Sequence, residues 1–185
     1  MKRAIFSTLA GGAALVVWGM IFWAFLAPAL GVFNALPDAA GVTRALSESD
    51  TPTGTYFMPW PRSTPEEFDR FVAQHKSGPF FRLSFVREGV DPNHPAKIAT
   101  GVLQYLVVAA LAVVLVMLAG AATFRARFAL VMFAGLMGTV FITLGDPVWF
   151  HLPWDYTAGV ALYEVVAWAL LALTTAAITP RRERV

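Results

Sequence analysis

The chain has 185 residues, of which 57% are hydrophobic and only 14% are charged, with a formal net charge of +2. A soluble domain typically carries charge on about a quarter of its residues, so this is not the composition of an ordinary soluble protein. The sequence has no cysteine, which excludes disulfides, thiolate metal sites and cysteine nucleophiles. It also has no run of Lys or Arg that would indicate nucleic-acid binding.

The first apolar stretch covers residues 4–33 and follows Lys2 and Arg3. A secretory signal has a shorter apolar region, of about 7–15 residues, which ends at a small-x-small cleavage site. The one candidate site in this stretch, Ala27-Pro28-Ala29, has proline at its centre. We therefore predict a retained anchor, the first transmembrane helix.

Most polar residues of the chain lie in residues 34–97, which we predict to be an extracytoplasmic α+β domain of strand–helix–strand order. Alternating apolar and polar residues indicate a strand at residues 81–85, and a weaker pattern indicates another at residues 54–58. Below about 40 residues a domain rarely folds alone. We therefore expect this small unit to rest on the helix ends or on a partner.

The helix of this predicted domain begins at Ser63-Thr64-Pro65-Glu66-Glu67. A hydroxyl cap, a proline in the first turn and early acidic residues are typical of a helix N-terminus. Phe68, Phe71 and Val72 follow at helical spacing. We expect a helix over residues 64–76 in which these three side chains are buried.

Three more apolar stretches follow, at residues 98–123, 128–145 and 156–178. A helix needs about 20 apolar residues to cross the hydrocarbon core. The third stretch is the shortest, and we expect flanking residues to complete it. An outer loop at residues 146–155 separates the last two helices, and a short tail covers residues 179–185. The predicted fold is an all-α membrane bundle of four transmembrane helices with the α+β insertion between the first two.

Basic residues predict the orientation of the bundle. Residues 1–3, 124–128 and 180–185 together contain seven Lys and Arg residues and one acid, whereas residues 145–155 contain two acids and no Lys or Arg. Short cytoplasmic loops carry an excess of Lys and Arg. We therefore predict a protein of the bacterial inner (plasma) membrane with both termini cytoplasmic and residues 34–97 outside.

The outer loop has the densest cluster of polar and aromatic residues: Asp146, Trp149, His151, Trp154 and Asp155. One interpretation is interfacial, because Trp and Tyr favour the headgroup level and prolines end helices. The other is that Asp146, His151 and Asp155 line a site in which His151 binds a metal or moves protons. The spacing matches no known metal motif, so we predict no metal and no cofactor.

Glu164 lies among apolar residues of the fourth predicted helix. An unpaired carboxylate there costs several kcal/mol, so it should face the bundle and be paired or protonated. Gln104 and Tyr105 of the second helix lie at a similar depth and are the expected donors. Both a structural hydrogen bond and a role in proton handling or substrate binding remain open. With the loop residues, these form a candidate polar pocket of Glu164, Asp146, His151, Asp155, Gln104 and Tyr105.

The chain resembles small, uncharacterised four-helix inner-membrane proteins of proteobacteria. The shared patterns are Gly54-Thr55-Tyr56 with Pro59, the pair Gly78-Pro79, and Asp146, Trp149, Pro153 and Tyr156. The resemblance covers most of the chain and implies the four-helix layout. It implies no activity.

Two functional hypotheses follow. The first is an accessory or scaffolding subunit of a larger membrane complex, respiratory or photosynthetic for example, because no catalytic motif is present and many aromatics are expected at surfaces. Its partners would be the lipid bilayer and other membrane subunits, with Trp149, Trp154, Phe68 and Phe71 at interfaces. The alternative is a membrane-embedded enzyme or carrier with an outward-facing pocket of Glu164, His151 and Asp146.

Overall fold

The computed structural model describes residues 2–60 and 64–179. The chain forms two compact units. Unit 1 comprises Met1–Asn34 and Asn93–Val185, and unit 2 comprises Ala35–Pro92. Ser63 of the predicted helix start, and the predicted tail beyond Thr179, lie outside the described residues.

The elements, in chain order, are α1 (Lys2–Ala29), α2 (Ala39–Glu48), β1 (Gly54–Met58), α3 (Pro65–Ser77), β2 (Phe81–Phe85), α4 (Pro95–Leu118), α5 (Phe124–Phe150) and α6 (Trp154–Ile178). Helices α1, α4, α5 and α6 belong to unit 1, and the other elements belong to unit 2.

The four helices of unit 1 are long and apolar enough to cross a membrane, which confirms the predicted number. Only 17% to 28% of the residues in their most apolar windows are buried. Large apolar side chains, among them Phe25, Leu118 and Phe141, therefore face outwards. A helix that is apolar on all sides suits a lipid environment. Helix α5 has 27 residues and includes the flanking residues expected to complete the third span.

Helix α1 packs against both α4 and α6, and α5 packs along α6, whereas the contacts of α4 with α5 are much less extensive. A buried cluster joins the four helices and contains Leu15, Ala109, Ala112, Val116, Val131, Ala167, Leu171 and Ala172. Small residues permit these close contacts, as is usual between helices in lipid. At Gly135, an added Cβ would lie 2.1 Å from Cγ of Trp168, so the indole packs directly against the α5 backbone.

Two of the long helices contain a π-helical segment. Phe22–Leu26 forms one within α1, and Thr139–Thr143 forms the other within α5, where the Leu144 amide donates to the Thr139 carbonyl over 3.0 Å. A π-helical turn adds one residue and rotates the side chains that follow it. These two segments therefore change which faces of α1 and α5 meet α6.

Helix α1 ends at Ala29, before the end of the apolar stretch predicted to residue 33. Gly31 has φ of 65°, and the Val32 amide donates to the Ala27 carbonyl over 3.0 Å. This is a helix C-terminus closed by a left-handed glycine. Val32 is buried with Phe22 and Ala27 in a second small cluster.

Arg127 lies in the first turns of α5 and is only 4% exposed. Its Nε donates to the Ala121 carbonyl over 2.8 Å, and Nη1 donates to the Thr179 carbonyl after α6. The Thr179 hydroxyl is 3.2 Å from the Ser7 hydroxyl of α1. The guanidinium therefore ties together the ends of several helices of unit 1.

Unit 2 contains a two-stranded antiparallel sheet in which Gly54 pairs with Phe85 and Met58 pairs with Phe81. The α+β character predicted for this block is present as this small sheet and its helices. Helix α3 starts with a capping box, because the Thr64 hydroxyl accepts from the Glu67 amide and the Glu67 carboxylate accepts from the Thr64 amide. Helix α2, capped by Asp38, is an addition to the predicted elements.

Arg87 holds the C-terminal end of α2. Its guanidinium donates to the carbonyls of Leu46, Ser47 and Ser49, and also to the Thr51 carbonyl over 2.9 Å. A cation at a helix C-terminus bonds free carbonyls and interacts favourably with the helix dipole. Hydrogen bonds at helix ends and within the sheet thus organise unit 2.

The expected burial of the α3 stripe is wrong for Phe68, which is 52% exposed, while Phe71 and Val72 are half-buried. Within residues 35–60 and 64–92, Pro59 is the one buried residue. The physical reason is size: a unit with two short strands and two short helices has too few layers to enclose a large side chain. The stripe is therefore a partly exposed surface and not a core.

Candidate functional site

A cavity of about 260 Å³ lies among the four long helices of unit 1. Helices α4, α5 and α6 form its walls, and α1 contributes one residue. The lining residues are Leu15, Gln104, Tyr105, Val108, Gly138, Thr139, Ile142, Thr143, Tyr163, Glu164, Ala167, Trp168 and Leu171. Three of the six residues of the predicted polar pocket, Gln104, Tyr105 and Glu164, thus share one cavity.

Glu164 supplies the acidic group of this cavity. It lies about 15 Å along α6 from the start of the helix, at about 1.5 Å per residue. The Thr143 hydroxyl of α5 is 2.7 Å from each oxygen of the Glu164 carboxyl group. Within the described residues, Thr143 is the one hydrogen-bond donor to that group. The expected interhelical partner therefore exists, but it comes from α5 and not from Gln104 or Tyr105.

The reason lies in the π-helical segment Thr139–Thr143. The segment brings the hydroxyl of Thr143 to α6, and the Tyr105 hydroxyl instead lies 2.8 Å from the Tyr163 hydroxyl. Thr143 is one of several threonines in apolar stretches of the sequence. Its distance from Glu164 along the chain offers no periodic signal, so the sequence did not single it out.

Tyr163 lies beside Glu164 on α6 and is surrounded by aromatic rings. Trp18 Nε1 donates to the Tyr163 carbonyl over 3.0 Å, and the two rings stack with centroids 6.4 Å apart. Phe22 and Trp23, from the start of the π-helical segment of α1, lie 5.2 Å and 5.1 Å from the Tyr163 ring. This packing fixes the position of Tyr163, and therefore that of the neighbouring Glu164, relative to α1.

Thr139 is a buried polar residue of the cavity lining. It is 5% exposed, and its hydroxyl has no hydrogen-bond partner within the described part of the chain. Buried polar atoms are rarely left unpaired in proteins, and each such atom needs an explanation. Thr139 lines the cavity as the first residue of the π-helical segment.

The remaining predicted site residues lie near the junction of α5 and α6 and do not line this cavity. Asp146 is half-buried in the last turns of α5, and His151 follows that helix with φ of 52°. Asp155 is exposed and accepts from the Tyr156 amide over 2.7 Å. Trp149 and Trp154 are exposed on either side of the short link.

No group of three or more His, Cys, Asp or Glu that could hold a metal occurs in residues 2–60 and 64–179. Chemically, the cavity offers one carboxyl group, hydroxyls, an amide and aromatic faces. Such a set can accept hydrogen bonds and stabilise a positive charge. A nucleophile with its base is not apparent among the described lining residues.

A second concave surface lies wholly within unit 2. It is a groove of about 430 Å³ lined by Met58, Trp60, Glu67, Arg70, Phe71 and Gln74. Trp60 is 62% exposed there.

Comparison of the chain with protein-family models, with curated proteins and with solved structures returned no match.

Proposed function

We propose that this protein is an accessory or scaffolding subunit of a larger inner-membrane complex. Its four long helices serve as the anchor, and unit 2 docks on another subunit outside the cytoplasm. The groove of unit 2, with an exposed Trp60 at its wall, is the observation that supports this function.

The composition of the groove fits a docking surface. Trp60, Met58 and Phe71 supply apolar area, and Arg70 lies beside them with Glu67. Aromatic residues, Met and Arg are enriched in protein interfaces, and Trp and Arg are frequent among the side chains that dominate binding energy. Phe68 lies next to the groove, with its ring centroid 5.9 Å from that of Phe71.

The fold of unit 2 supports the same proposal. Single exposed apolar side chains are normal, but this unit exposes several large ones while burying only Pro59 among its described residues. A unit with so little interior gains stability when a partner covers its apolar surface. Docking would therefore stabilise unit 2 as well as hold the complex together.

The alternative, an enzyme or carrier with one pocket of Glu164, His151 and Asp146, has less support. Of these three side chains, Glu164 alone is among the residues that line the cavity in unit 1. The exposed Trp149 and Trp154 fit the interfacial interpretation of the outer loop equally well.

The test is purification from the native membrane in mild detergent, with quantification of co-purifying membrane subunits. We expect Trp60→Ala to lower their yield at least tenfold, because truncation of a central interface Trp typically costs about 2 kcal/mol or more. Val90→Ala is the matched control, since Val90 is an exposed apolar residue of unit 2 outside the groove. A chain that purifies alone, or partners retained fully by Trp60→Ala, would refute the proposal.

A further inference from the structure

The cavity in unit 1 is independent of the docking surface and has a chemistry of its own. We propose that it binds a small lipophilic ammonium ion, an amine with an apolar body, which reaches the cavity from the membrane. The inference rests on the carboxyl group of Glu164 and the amide of Gln104, on the aromatic walls of the cavity and on the position of its mouth.

The first argument is the unfilled acceptor capacity of Glu164. An ionised carboxylate offers about four lone-pair positions. In the described structure these receive one hydroxyl, from Thr143. None of the described lining residues is Lys, Arg or His, so none of them offers the carboxyl group a cationic partner. An ammonium group supplies both the missing charge and up to three N–H donors.

The second argument is another polar side chain of the cavity. Gln104 lines the cavity and is exposed at its edge, and its amide oxygen can accept a hydrogen bond from a ligand N–H.

The third argument concerns the rest of the ligand. Trp168, Tyr105 and Tyr163 contribute aromatic side chains to the lining, and Leu15, Val108 and Leu171 contribute aliphatic ones. Aromatic faces attract organic cations, most strongly where water is excluded. An alkali ion would use the oxygens and leave these walls empty. The volume of about 260 Å³ is below the usual ~300–1,000 Å³ of drug-sized pockets, so the ligand is small.

Two exposed lining residues, one from α4 and one from α5, indicate that the mouth of the cavity lies between these helices, whose mutual contacts are less extensive than those of α1 with α4 or of α5 with α6. Ile142, which is 69% exposed, and Gln104 are lining residues that also reach the outer surface. Both belong to helices of membrane-spanning length. A ligand would therefore enter sideways from lipid, which explains the requirement for an apolar body.

Phenethylammonium is a suitable probe, and the neutral alcohol 2-phenylethanol has nearly the same shape without the charge. Both are titrated calorimetrically into the full-length protein in lipid nanodiscs. We expect saturable binding of phenethylammonium and none of 2-phenylethanol. Glu164→Gln should weaken binding at least tenfold, because it removes the charge of a buried pair.

Glu48→Gln is the matched control, since it removes an exposed carboxylate of unit 2, and it should bind like the unaltered protein. If Glu164→Gln does not fold, Ile142→Trp fills the mouth without changing the charge and should also abolish binding. Equal binding of both probes, displacement of phenethylammonium by sodium at equal concentration, unchanged affinity in Glu164→Gln or Ile142→Trp, or no saturable binding at millimolar concentration would overturn the proposal.

Discussion

Two ionisable side chains of unit 1, Glu164 and Arg127, are partly or fully removed from solvent. Glu164 is half-buried and accepts from Thr143, whereas Arg127 is buried and donates to backbone carbonyls at helix ends. A charge in an apolar environment must have partners or it is very costly. Arg127 therefore has a structural role in addition to its place in the positive-inside pattern.

We predict that Arg127→Met destabilises the protein by about 2–4 kcal/mol, because the carbonyls of Ala121 and Thr179 lose a charged donor. Unfolding of the purified protein in a denaturing detergent measures the effect. Arg125→Met is the matched control: Arg125 is exposed, two residues away on the same helix, and its replacement should change stability little. Equal losses of stability for the two variants would show that the hydrogen bonds of Arg127 to these carbonyls are not the cause.

At the scale of elements, α3 is the helix whose start depends most clearly on local sequence. Thr64 and Glu67 exchange hydrogen bonds of 3.3 Å and 3.4 Å across the first turn. Such caps form from residues that are neighbours in the chain, so they do not require a packed interior. This explains how a regular helix persists in a unit in which Pro59 alone is buried among residues 35–60 and 64–92.

Thr64→Ala should therefore weaken α3 by about 1 kcal/mol, the usual cost of losing a hydroxyl cap. In hydrogen-exchange mass spectrometry of the full-length protein, we expect the amides of α3, from Glu66 to Ser77, to exchange roughly fivefold faster. Thr64→Ser keeps the hydroxyl and should restore the slow exchange. Unchanged exchange in Thr64→Ala would mean that tertiary contacts, and not the cap, hold this helix.

The two π-helical segments, in contrast to the start of α3, do not depend on a local sequence signal. Phe22–Leu26 and Thr139–Thr143 have compositions that fit an ordinary transmembrane α-helix. In each segment, a contact with α6 stabilises the extra residue. Phe22 packs against the Tyr163 ring, and the Thr143 hydroxyl donates to Glu164. Such segments often occur at functional sites. Both segments here contact the part of α6 that contains the proposed cation site, at Tyr163 and Glu164.

At the scale of the whole molecule, the apolar helices dominate, and the predicted arrangement in the membrane can be tested directly. We predict that a reporter active only in the cytoplasm works when fused after Arg184 and fails when inserted near Ser49. The reason is the excess of Lys and Arg in the segments assigned to the cytoplasm. A reporter active only outside, placed at the same two positions, should give the reverse pattern. A C-terminus outside the cytoplasm would contradict the predicted orientation, and Ser49 and Arg184 on the same side would contradict the three crossings between them.

The sequence by itself determined the features that depend on short stretches of chain. Four apolar segments of sufficient length become four long helices, and the cap residues at Thr64 start α3. Alternation at Phe81–Phe85 becomes a strand. The need of Glu164 for a polar partner on another helix also followed from the sequence, because the cost of a lone carboxylate among apolar residues does not depend on the fold.

The tertiary structure alone decided which side chains meet. The hydrophobic pattern of an all-round apolar helix does not specify which face turns inwards, so neither Thr143 as the partner of Glu164 nor the burial of Arg127 could be deduced. The π-helical segments shift those faces further. The burial of Phe68 was wrongly predicted because an apolar stripe indicates only which side chains share a face of the helix. Whether other residues cover that face depends on the number of packed layers in the unit.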